Sequence, residues 1–154
     1  MTPDPDHRTP SARGAGDPPA LHRRPAWVEV DLDAIADNTA SVKRSVGSRT
    51  DVMAVVKANA YGHGLVPAAG AALRGGATAL GVALPEEGLE LRSAGVLAPI
   101  LVLGVSPPEA AESLVAAHLA QILAGTDTAE ALSRASQQLG RPARGHLKID
   151  TGMG

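Results

Sequence analysis

No cysteine occurs anywhere in the 154 residues, so no disulfide can form and no thiolate metal site can be built. That absence agrees with a reducing compartment. Aromatic residues are nearly missing: Trp27, Tyr61 and no phenylalanine. The core must then be assembled from Ala, Val, Leu and Ile, the usual filling of a helix-covered parallel sheet. An excess of charge is missing too. Fourteen basic and sixteen acidic residues leave a net charge of −2, which gives no footprint for nucleic acid or an acidic membrane. No run of about 18 apolar residues exists, so no membrane span is expected. Neither a Gly-x-Gly-x-x-Gly fingerprint nor a Walker loop is present, which counts against a nucleotide-binding open sheet.

What is present is alternation. Residues 1–25 stand apart, holding six of the twelve prolines among Asp, Arg, Ser and Gly. Such a stretch cannot bury enough apolar surface to offset its ordering entropy, so a disordered tail is expected there. From Trp27 onward, short apolar runs alternate with helical patterns. Strands are expected over 27–31, 52–57, 79–83, 100–103, 119–124 and 146–150. Asp33 is expected to cap a helix reaching Val46, with Ile35, Thr39, Val42 and Val46 on its inner face. Further helices are expected from Leu65 to a stop at Gly75-Gly76, and from Pro85-Glu86-Glu87 to Gly95. Ser106-Pro107-Pro108-Glu109 has the form of a capping box, and Thr126 or Asp127 would cap the last helix, closed by Gly140. Linkers of a few residues between strand and helix argue for an α/β fold with a parallel sheet and crossover helices. An open doubly wound sheet and part of a barrel both satisfy that pattern.

One stretch carries chemistry. The apolar run Val52-Met53-Ala54-Val55-Val56 leads straight into Lys57, followed by small residues, Tyr61, and Gly62 and Gly64 around His63. A lysine at the carboxyl end of a parallel strand sits where α/β folds place their reactive groups. Partial desolvation lowers an amine's pKa and frees it for Schiff-base chemistry, and the glycines let backbone N–H groups approach an anion. Spacing alone also permits a plainer reading, a snorkelling surface lysine beside an ordinary turn.

The letters themselves go further. Val56-Lys57-Ala58-Asn59-Ala60-Tyr61-Gly62-His63-Gly64 resembles the pyridoxal-phosphate attachment signature of the alanine racemase family. Trp27-Val28-Glu29-Val30-Asp31-Leu32-Asp33-Ala34-Ile35 and His146-Leu147-Lys148-Ile149-Asp150-Thr151-Gly152-Met153-Gly154 agree with the same family in order and approximate spacing. The resemblance covers residues 26–154. It implies a barrel, with Lys57 on the barrel's first strand and the Trp27 strand packing against a later β domain. A closed α/β barrel takes about 250 residues, so the expectation is an incomplete (β/α)8 barrel of about five strands. The C-terminal β domain, with its second catalytic base, would be absent, and this chain would be a truncated form without activity of its own.

The resemblance also assigns roles. Lys57 would be the catalytic residue, forming an aldimine with the cofactor pyridoxal 5'-phosphate and moving the substrate's α-proton on one face. Tyr61 would bind the cofactor phosphate. His63 and Asn59 are read as structural, satisfying local hydrogen bonds. Lys148, carbamylated in some members of the family, is expected inside a strand and paired with Asp150. Glu86 and Glu87 are read as helix-start carboxylates, and His22, His118 and His146 lack ligand-like spacing, so no metal is assigned. The implied activity is interconversion of L- and D-alanine by a cytoplasmic homodimer, supplying D-alanine for peptidoglycan. A racemase for serine or a broader set of amino acids, a decarboxylase of the same fold, and a non-catalytic cofactor-binding remnant stay open as alternatives.

Overall fold

Five short strands lie side by side in chain order, all parallel. They are β1 (Met53–Val55), β2 (Ala79–Val82), β3 (Ile100–Val102), β4 (Leu119–Leu123) and β5 (Arg144–Leu147). This computed structural model describes residues 27–152, so the tail expected over 1–25 lies outside the described residues. Between the strands run α2 (Lys57–Tyr61), α3 (Leu65–Arg74), α4 (Pro85–Ser93), a 3-10 turn (Pro108–Ala110) leading into α5 (Ala111–Ala116), and α6 (Thr126–Leu139), while α1 (Leu32–Val46) precedes β1.

Sequential order decides between the two architectures left open above. Right-handed crossovers without a reversal of strand order put every connecting helix on one face, and the sheet curls around the other. The register shows both faces. Leu80, Ile100 and Leu119 share one row, and Val82, Val102 and Gln121 the next. All six are buried, against Leu65, Ala68, Leu91, Leu114, Leu132 and their neighbours. On the opposite face Val55, Gly81, Leu101, Ala120 and Arg144 form a row by the same pairing. This is the open side of a partial barrel, and Met53 and Val55 are exposed on it.

The near absence of aromatics shows in how closely the layers approach. Ala68, Ala69, Ala71 and Ala72 bury one flank of α3. A Cβ added at Gly75 would lie 2.3 Å from the Ala36 carbonyl oxygen and 2.7 Å from Thr39 Cβ. Nothing larger than glycine fits where α3 ends against α1.

Several expectations change. Residues 27–31 form no strand, and Trp27 and Val28 are almost fully exposed. A strand needs an edge to pair with, and none reaches these residues among those described. The cap of α1 is Asp31 rather than Asp33: Asp31 Oδ1 accepts the N–H groups of Asp33 (3.0 Å) and Ala34 (2.9 Å). Ile35 and Thr39 are half-buried as expected, whereas Val42 and Val46 remain exposed, because α3 ends at Arg74 and leaves the last turns of α1 uncovered. Ser106 caps no helix. It is buried and donates its hydroxyl to Gln121 Oε1 at 2.6 Å, so the capping box gives way to a 3-10 turn. Gly125, not Thr126 or Asp127, stands at the start of α6 without a side-chain cap.

Candidate active site

The site lies just past the carboxyl end of β1. Val56 makes the strand's last ladder bond, its N–H donating to the Gly81 carbonyl at 2.8 Å. The chain then turns through four successive residues in the left-handed region: Ala58 (φ 53°), Asn59 (φ 54°), Ala60 (φ 51°) and Tyr61 (φ 54°). Each costs an L-residue roughly 1–2 kcal/mol relative to right-handed backbone. Gly62, at φ 91°, leaves the turn at no such cost. The α2 segment is therefore a single left-handed turn, which takes the place of the end of the expected strand and of the tight loop expected between it and the helix at Leu65.

Several hydrogen bonds hold this turn. The Ala60 N–H donates to the Val56 carbonyl at 2.8 Å, and the Gly64 N–H to the Asn59 carbonyl at 3.0 Å. Asn59 Oδ1 accepts the Leu65 N–H at 2.8 Å, anchoring the turn to the first residue of α3. His63 Nδ1 pairs with the Ala60 carbonyl at 2.8 Å. Asn59 and His63 thus have the local structural roles read from the sequence. Glu87 was not anticipated here. Beyond starting α4, its carboxylate accepts the Ala58 N–H at 2.5 Å and the Ala83 N–H at 2.8 Å. Only an acid at the third position of the following helix hinted at it, and nothing in that signal points 29 residues back to Ala58. Glu86 is exposed.

Lys57 emerges half-buried at the start of the turn, and Tyr61 is exposed at its end. Neither the ammonium nor the phenol hydroxyl has a hydrogen-bond or ion-pair partner among the described residues. An amine and a hydroxyl group left unengaged on one hydrogen-bonded turn can take up a carbonyl compound bearing an anionic group. Lys148 does not match its forecast. It follows β5 rather than lying inside it, is exposed, and bonds through its backbone N–H to the Leu123 carbonyl at 2.8 Å. The edge position of β5 explains this, since no described strand covers its outer side. Asp150 Oδ1 accepts the Gly152 N–H at 2.8 Å. Among the described residues no group of three or more His, Asp or Glu side chains could hold a metal, and no helix is long and apolar enough to cross a membrane.

Comparison with known proteins decides the lineage. The family described as alanine racemase, N-terminal domain, matches residues 30–154. The chain belongs to the alanine racemase family. Alanine racemase from Symbiobacterium thermophilum is 51% identical over 131 residues, covering 85% of this chain and 34% of its own length. Alanine racemase from Desulfosudis oleivorans is 46% identical over 129 residues, covering 84% and 33%. Among solved structures, alanine racemase of Bacillus anthracis with bound L-Ala-P superposes with a TM-score of 0.75 at 43% identity, over 83% of this chain and 33% of that one. The alanine racemase of Clostridium difficile 630 gives a TM-score of 0.80 at 35% identity, over 85% and 34%. The chain thus spans about a third of the length of the alanine racemases it matches, and its partial parallel barrel is the fold they share over that third.

Proposed function

We propose that this chain supplies the lysine-bearing part of a pyridoxal-phosphate-dependent alanine racemase. The observation that carries the reading is Lys57, half-buried at the end of the first barrel strand with its amine unengaged, on a turn whose geometry four residues of left-handed backbone define. The donor set fits the cofactor: an amine for its carbonyl and, at Tyr61, a hydroxyl for its phosphate. Lys57 would hold the cofactor through Nζ, and the same amine, when free, would remove or return the substrate's α-proton on one face. Tyr61 would orient the phosphate by donating its hydroxyl hydrogen. Asn59 and His63 keep the turn in place without touching the reacting atoms. Bound pyridoxal phosphate supplies the electron sink for the charge left on the substrate's α-carbon.

Conversion between L- and D-alanine, homodimer assembly, supply of D-alanine to peptidoglycan and action in the cytoplasm belong to the same proposal, for the whole protein, and rest on the family. The test is direct. The protein is incubated with pyridoxal phosphate, reduced with borohydride and mapped by peptide mass. A single adduct on the Lys57 peptide, lost in Lys57→Ala, is expected. No adduct on a folded sample overturns cofactor binding by this chain. An adduct without any exchange of the alanine α-proton in the whole protein favours a cofactor-binding remnant.

A further inference from the structure

We infer that Glu87 is the residue that positions Lys57, acting through the backbone of the left-handed turn and not through contact with the cofactor. The inference rests on the reading of Lys57 given above. It begins with a missing ladder bond. After Val56 bonds to Gly81, the next donor on that edge of a parallel strand is two residues on, the Ala58 N–H. Its partner in a continued ladder would be the Ala83 carbonyl, but that oxygen accepts the Gly104 N–H at 3.1 Å. The Ala58 N–H turns instead to Glu87 Oε1 at 2.5 Å. Glu87 Oε2 takes the Ala83 N–H at 2.8 Å and the Leu84 N–H at 3.2 Å. One half-buried carboxylate therefore ties the end of β1 to the end of β2 where the sheet itself stops doing so.

The consequence falls on Lys57. The peptide plane before it is held by the Val56 carbonyl, which accepts the Ala60 N–H at 2.8 Å. The plane after it carries the Ala58 N–H, which Glu87 holds. With both planes fixed, the direction of the Lys57 Cα–Cβ bond is fixed. Ala58 has no intrinsic reason to stay at φ 53°. Without the Glu87 acceptor, the turn loses the bond that keeps this residue out of the right-handed region, and Lys57 loses its aim.

A rival explanation is that Glu87 only caps α4, reaching back to Leu84 from the third helical position. Glu87→Asp separates the two roles. Aspartate keeps an acid at the third helical position, where a negative charge favours the helix start, but it is one methylene short of Ala58. Glu87→Gln keeps the length and leaves one oxygen for two sites. Two readouts are taken on wild type and both variants: hydrogen exchange of the Ala58 amide, and the rate at which pyridoxal phosphate becomes reducible onto Lys57. With melting close to wild type, Glu87→Asp is expected to speed Ala58 exchange and slow Lys57 trapping, each by about tenfold. Should Glu87→Gln fail to fold, Glu87→Asp carries the comparison, because it retains the acid at the helix start. Unchanged Ala58 exchange and trapping in Glu87→Asp reduce Glu87 to a helix cap and overturn the inference. If wild type is never trapped on Lys57, the proposed function fails. Ala58 exchange then still decides whether Glu87 holds the turn: faster exchange in Glu87→Asp supports it, and unchanged exchange sinks it.

Discussion

Asn59 and Leu65 are joined by a single hydrogen bond, side-chain Oδ1 to backbone N–H at 2.8 Å, that closes the left-handed turn onto the start of α3. Asparagine suits the place twice over. It tolerates left-handed backbone, and its short side chain can satisfy one of the N–H groups that every helix leaves free at its start. Asn59→Ala removes both advantages and is expected to destabilise the fold by about 1–2 kcal/mol. Asn59→Asp retains both and should stay within about 0.5 kcal/mol of wild type. Urea unfolding measures the difference. Equal midpoints for wild type and Asn59→Ala would show that the bond holds nothing.

Gly75 gives a purely steric prediction. A methyl group there would meet the Ala36 carbonyl, a backbone atom, so it cannot be relieved by a side-chain rotation. Gly75→Ala is expected to cost about 1–3 kcal/mol by forcing α1 and α3 apart, seen as a lower thermal midpoint. At Gly140, where no atom lies within 4 Å of an added Cβ, the same change meets only the penalty of its left-handed φ of 59°. A Gly75→Ala midpoint above that of Gly140→Ala would refute the packing argument.

The sequence carried the alternation of strands and helices because each element needs an apolar row at a fixed period, and Leu80, Val82, Ile100 and Val102 supply it locally. The stops at Gly75 and Gly140 were legible for the same reason. What misled was choice between equivalent groups. Asp31 and Asp33 both suit a cap, and only the entry angle of the chain selects Asp31. Ser106 suits a capping box, yet Gln121 claims its hydroxyl from 15 residues away. Lys57 and Tyr61 were legible as a motif. The left-handed turn between them was not, since Ala58 and Ala60 have no preference for that backbone and the groups imposing it lie partly on α4.

Gln121 is fully buried in the middle of β4, and every polar atom of its side chain is engaged. It accepts from Ser106 Oγ at 2.6 Å and donates to the Gly104 and Ile122 carbonyls at 2.6 and 2.8 Å. Thr128 Oγ1 extends the network by donating to the Ser106 carbonyl at 3.2 Å. Gln121→Leu fills the same space but leaves the Ser106 hydroxyl and the Gly104 carbonyl without it, so a loss of about 1–3 kcal/mol is expected. Pairing the change with Ser106→Ala should recover part of that loss, because one orphaned group disappears. Strict additivity of the two changes in a double-mutant cycle would contradict the network.

Arg92 stitches the opposite end of the sheet. Its guanidinium donates to the carbonyls of Ala117 (2.9 Å), Val96 (2.7 Å), Ala98 (2.8 Å) and His118 (3.1 Å). Burial lowers its pKa from the ordinary arginine value, yet an arginine stays charged throughout the range where proteins fold. The sign follows. A base whose folded pKa is depressed makes the charged form cost stability at all pH values below that pKa, and the cost is relieved only in strong alkali. No pH dependence from Arg92 is therefore expected between about pH 5 and 9. Arg92→Lys keeps the charge but not the planar fork, and it should lose about 1–2 kcal/mol across that whole window. A loss confined to one end of the window would mean another group is responsible.

Tyr61 offers the sharpest test of the site because removing its hydroxyl changes little else: the group is exposed and makes no hydrogen bond among the described residues. Tyr61→Phe should therefore melt as wild type does. If the hydroxyl binds the cofactor phosphate, Tyr61→Phe weakens cofactor affinity by roughly tenfold, the worth of one hydrogen bond to a charged group. Saturating pyridoxal phosphate should still label Lys57 in the variant, since the amine is untouched. Titration by absorbance, followed by borohydride trapping, reads both quantities on one sample. Equal affinity in wild type and Tyr61→Phe would remove Tyr61 from the phosphate and leave the binding to backbone N–H groups or to residues elsewhere in the protein. Loss of Lys57 labelling at saturation would contradict this division of roles, because phenylalanine keeps the ring and lacks only the hydroxyl.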